Sequence, residues 1–83
     1  MGKVLCELRF FADDVLPSAV QQAVREFEGE CKMLCITDPS GVTACMSVIC
    51  SEVDAPTILY LVKKHASGKP VRYFFSQVNV NLA

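Results

Sequence analysis

Asp38-Pro39-Ser40-Gly41 constrains this chain more than any other segment, because it lies between two β-prone runs and has the chemistry of a tight turn. Asp at the first position can accept hydrogen bonds from the turn backbone, Pro39 presets φ at the second, and Gly41 can take the positive φ of a following bulge. A hairpin is therefore expected, with strands over Cys31 to Thr37 and Val42 to Cys50, antiparallel because the connection is short. A three-residue loop would set Thr37 opposite Thr43, Cys35 opposite Cys45 and Met33 opposite Ser47.

The flanks supply four more elements. Lys3 to Phe11 alternates, with Val4, Cys6, Leu8 and Phe10 on one side and Leu5, Glu7, Arg9 and Phe11 on the other, as a half-covered strand does. Asp13-Asp14 offers an N-cap, Pro17 suits a first helical turn, and Leu16, Val20, Ala23, Val24 and Phe27 share one helical face that ends near Gly29. A second helix starts at Asp54 and Pro56, aligns Ile58, Leu61, Val62 and His65, and stops at Ser67-Gly68-Lys69-Pro70. His65, the sole histidine, has no evident partner in sequence and reads as structural. Val71 to Leu82 alternates again, with Phe74, Val78, Val80 and Leu82 on one side and Tyr73, Phe75, Gln77, Asn79 and Asn81 on the other.

The order β-α-β-β-α-β over residues 1–83 makes one α+β domain. Two right-handed crossovers sharing a hairpin give the ferredoxin-like split βαβ arrangement: a four-stranded antiparallel sheet of order 4-1-3-2 with both helices on one face. Taking the two central strands as parallel places both helix starts, with Asp13, Asp14, Glu52 and Asp54, at one end of the sheet, where carboxylates favour helix N-termini.

Such an arrangement leaves the other sheet face bare. On the expected registers that face carries Leu5, Glu7, Arg9 and Phe11, then Cys31, Met33, Cys35 and Thr37, then Thr43, Cys45, Ser47 and Ile49, then Tyr73, Phe75, Gln77 and Asn79. Leu34, Ile36, Ala44, Met46 and Val48 turn toward the helices. Hydrophobic residues make up 52% of the chain, more than one small core hides, and this excess points to an association surface or an apolar cleft. Glu7, Arg9, Cys35, Cys45, Ser47, Tyr73, Phe75 and Gln77 are the candidate ligand or interface residues. The expected function is a module that self-associates through this face, as a dimer first of all, with room for a small, largely apolar ligand. The alternative is a cofactor-free, isomerase-like enzyme of the dimeric α+β barrel type, with Glu7 as general base and Arg9 and Tyr73 orienting an anionic substrate.

Other classes lack their residues. Eight basic against nine acidic residues, a net charge of −1, give no electrostatic footprint for nucleic acid or an anionic membrane. Strand three offers no aromatic platform for stacking bases, as an RNA-recognition motif would need. The first strand–helix loop carries neither the M-x-C-x-x-C of copper chaperones nor the phosphate cradle and arginine of acylphosphatases, and no cofactor is expected. The N-terminal run is interrupted by Glu7 and Arg9, so neither a signal peptide nor a membrane span is expected, and the chain reads as cytoplasmic. Five cysteines at C-x3-C and C-x4-C spacings fit no zinc motif and read as packing residues. Strand alternation allows Cys31, Cys35 and Cys45 to converge and sends Cys50 to the far side of the sheet from Cys45.

Overall fold

The computed structural model of the chain describes residues 4–78. The elements are β1 (Leu5–Phe11), α1 (Pro17–Glu26), β2 (Cys31–Thr37), β3 (Thr43–Ser51), α2 (Ala55–His65) and β4 (Tyr73–Val78), with a 3-10 turn at Glu52–Asp54 leading into α2. The four strands form one antiparallel sheet in the order β2-β3-β1-β4, which is the expected 4-1-3-2 read backwards. The expected continuation of the last strand through Asn79, Val80, Asn81 and Leu82 lies outside the described residues.

The hairpin closes as its turn chemistry dictates. Asp38 Oδ1 accepts from the backbone N–H of Ser40 at 2.9 Å and of Val42 at 3.1 Å, while Gly41 N–H donates to the Asp38 carbonyl at 2.9 Å. Gly41 takes φ +88°, a conformation that costs a residue without Cβ little. Hydrogen bonds from the Ser40 side chain and then the Val42 backbone hold the Asp38 carboxyl below its ordinary range.

Both helices join one core with one face of the sheet. Cys6, Leu8 and Phe10 of β1 and Met46, Val48 and Cys50 of β3 are buried with Ala19, Val20 and Ala23 of α1 and Ile58, Leu61 and Val62 of α2. Each large apolar side chain so buried contributes about 1.5–3 kcal/mol. Pro17 and Pro56 sit in the first turns of their helices, where the missing N–H costs nothing. Glu26 of α1 clamps the end of α2, accepting from Lys64 Nζ at 2.9 Å and lying 2.6 Å from His65 Nε2. His65 thus has a carboxylate partner that sequence spacing did not reveal.

Three expectations of strand geometry are corrected, and with the first the expected helix caps. The central strands β1 and β3 are antiparallel, so they leave the sheet at opposite ends; Asp13 and Asp14 occupy one end, Glu52 and Asp54 the other. Neither helix begins on a side-chain cap; Asp14 instead receives Arg72 Nη2 at 3.0 Å and Nε at 3.2 Å.

The second correction concerns β2. Thr37 does oppose Thr43, but the ladder then slips, so that Ile36 opposes Cys45, Cys35 opposes Met46, Leu34 opposes Ser47 and Met33 opposes Val48. Ala44 is the extra residue, and its carbonyl accepts from Ala12 N–H at 3.0 Å beyond the end of β1. One added residue turns every later β2 side chain to the other face. Cys31, Met33 and Cys35 therefore lie on the helix side and Leu34 and Ile36 on the open side, the reverse of expectation.

The third correction is β4, whose register with β1 puts Tyr73 opposite Phe10, Phe75 opposite Leu8 and Gln77 opposite Cys6. Those three lie on the helix side, and Phe74, Ser76 and Val78 on the open side.

Candidate functional site

The open face is built from the alternate residues of four strands: Leu5, Glu7, Arg9 and Phe11; Cys45, Ser47 and Ile49; Lys32, Leu34 and Ile36; Phe74, Ser76 and Val78. Four of the candidate residues, Glu7, Arg9, Cys45 and Ser47, come together there. Cys35, Tyr73, Phe75 and Gln77 do not. Cys35 is exposed beyond the helices' cover, Tyr73 packs its ring 6.3 Å from that of Phe10, and Gln77 Nε2 donates to Glu52 Oε2 at 3.0 Å. Sequence reasoning missed Leu34, Ile36 and Phe74 as open-face residues. The available signal was weak, because both parities of β2 and β4 are apolar.

At the middle of the face one carboxylate oxygen organises the polar groups. Glu7 Oε2 accepts from Ser47 Oγ at 2.5 Å and from Arg9 Nη2 at 3.1 Å. Ser47 is 2% exposed, so its hydroxyl requires this partner. The Ser47 hydrogen bond, opposed by burial and aided by Arg9, holds the Glu7 carboxyl below its ordinary range. Arg9 Nε is buried without a hydrogen-bond partner among the described residues.

One cavity adjoins this cluster and a second lies next to it. The first, of about 310 Å³, is lined by Glu7, Arg9, Phe11, Phe74 and Ser76. A larger one of about 590 Å³ lies at the sheet end, between Asp13, Asp14, Arg72 and Tyr73, and shares Phe11 and Phe74 with the first. These two rings meet edge to face with centroids 5.5 Å apart and form the wall between the cavities. The larger space is lined by neither Glu7 nor Arg9, so the smaller is the one into which the ion pair opens.

Chemically the cluster is a fixed ion pair in an apolar surround. A carboxylate stabilised in its ionised form is a weakened base, and Tyr73 lies on the other side of the sheet, so the triad of the alternative reading is not assembled. Among the described residues no group of three or more His, Cys, Asp or Glu side chains is placed to hold a metal ion, and no helix is long and apolar enough to cross a membrane. No protein-family model matches the sequence, and comparison with curated proteins and with solved structures returns no match.

Proposed function

We propose that this chain is a small α+β module of the ferredoxin-like split βαβ arrangement that self-associates with a second copy, open face to open face. The observation that carries the reading is the exposure of Leu34 (43%), Ile36 (42%) and Phe74 (66%) around a Glu7–Arg9 pair whose charges cancel. Exposed apolar side chains so grouped favour burial against a like surface. On a two-fold interface the same patch serves both partners, and Arg9 of one copy can meet Glu7 of the other. A standard interface takes about 800 Å² per partner, roughly one seventh of the 5757 Å² accessible surface of the chain.

Docking of the second sheet encloses the space over Glu7, Arg9, Phe11, Phe74 and Ser76. Two aromatic rings beside one ion pair suit a small, largely apolar molecule with a single polar group. Five free cysteines among the described residues fit a reducing, cytoplasmic setting. Sedimentation velocity over a concentration series tests the association: dimer is expected for the native chain and monomer for Leu34→Lys. A native chain that stays monomeric, or a Leu34→Lys variant that still dimerises equally well, overturns the proposal.

A further inference from the structure

The corrected registers create a feature on the helix side of the sheet that strand alternation alone did not foresee. Cys50 of β3 lies directly opposite Cys6 of β1 and, on its other flank, directly opposite Cys31 of β2. Three cysteines thus stand in a row across three adjacent strands. Cys6 and Cys50 are buried with their Sγ atoms 3.8 Å apart. Cys31 is partly exposed on the outer strand, at the end of the sheet where Glu30 and Asp54 lie beside it.

We propose that Cys31, Cys50 and Cys6 form a thiol–disulfide exchange site that accepts a low-molecular-weight disulfide at the partly exposed Cys31. The Cys31 thiolate attacks the small disulfide, forming a mixed disulfide at Cys31 and releasing one small thiol. Cys50 then attacks Cys31 Sγ and expels the second small thiol, and Cys6 attacks Cys50 Sγ and returns Cys31 to its starting thiol. In sum Cys6 and Cys50 lose two electrons and two protons, and the small disulfide is reduced to two thiols.

The geometry favours this end point. Directly opposed residues of antiparallel strands have Cα atoms about 4.5–5.5 Å apart, within the range a disulfide spans. Burial pushes all three thiols up, Cys50 to about 12, with Cys6 and Cys31 each adding to its rise. The resting site is therefore protonated at neutral pH, so exchange is slow there and quickens as pH rises and the partly exposed Cys31 ionises.

The test uses the Cys35→Ser/Cys45→Ser chain, which retains the three thiols of the row, exposed to oxidised glutathione in mildly alkaline buffer without denaturant. Trypsin places Cys6 in peptide 4–9, Cys31 in 26–32 and Cys50 in 33–63, so a non-reducing digest reads each bond separately. The expected product joins 4–9 to 33–63 with loss of two hydrogens, preceded by a transient glutathione adduct on 26–32. Adding Cys31→Ser should slow closure on the order of tenfold while leaving its product unchanged. Adding Cys50→Ser should leave the adduct on 26–32 as the final state. The proposal is overturned if Cys6 and Cys50 stay unlinked while Cys31 is fully modified, or if they link only in denaturant. Closure as fast without Cys31 as with it overturns the entry through Cys31.

Discussion

The two faces of the sheet are made from the same strands and have opposite characters. Along β1, Cys6, Leu8 and Phe10 are buried beneath the helices, while Leu5, Glu7, Arg9 and Phe11 between them are partly exposed. The covered face is apolar and packed against two helices along β1 and β3, while Cys35, Tyr73 and Phe75 at its edges stay exposed. The open face keeps apolar bulk at its margins and a hydrogen-bonded ion pair at its centre. One face therefore holds the fold, and the other is available for a partner.

Substitutions should separate these roles, and their effects should fall in order as they move from the covered face outward. Phe10→Ala removes a buried ring from the centre of the core, and urea denaturation should show a loss of about 3–5 kcal/mol. That is comparable with the whole stability of a domain this size, so the variant should be largely unfolded.

Ser47→Ala strikes the centre of the open face. It takes from Glu7 the hydrogen bond that most lowers its pKa and should cost about 1–3 kcal/mol at neutral pH. The pH dependence has a definite sign. A carboxyl whose folded pKa is depressed stabilises the protein above its unfolded value, near 4.5 for Glu7, and that contribution is lost as pH falls through the folded value. Denaturation curves of the native chain and Ser47→Ala should therefore converge on acidification; a gap unchanged from neutral pH to well below 4 would contradict the assigned role of Glu7.

Ile36→Lys acts at the margin, where the side chain is already substantially exposed. Its effect on folding of the single chain should stay within about 0.5 kcal/mol, whereas self-association should be lost because the interface would bury an unpaired charge. A stability loss as large as that of Ser47→Ala would show that Ile36 belongs to the fold instead.

Legibility followed the same division in another form. The central strands β1 and β3 are each paired on both sides, and which of their residues face the helices could be read directly from sequence. The outer strands could not be read so. Cys31, Met33 and Cys35 compete with Leu34 and Ile36 as apolar sets in β2, and Tyr73, Phe74 and Phe75 run consecutively in β4, so a period of two fits either face. The turn at Asp38–Gly41 was legible from its residue types, but the extra residue at Ala44 was not, because alanine carries no mark of a bulge. That single residue moved Cys35 away from Cys45 and aligned Cys31 with Cys50. The opposite polarity of β1 and β3 was implicit in the strand order, and it separates the two acidic helix starts.

The claim that the open face is covered by a second copy is tested most directly by covalent footprinting of side chains across a dilution series. Leu34, Ile36 and Phe74 should be labelled in dilute solution and become protected as concentration rises, while Val53 and Tyr60, exposed near and on α2, should label equally throughout. Constant labelling of Leu34, Ile36 and Phe74 at every concentration, or protection that appears at Tyr60 instead, would contradict the account.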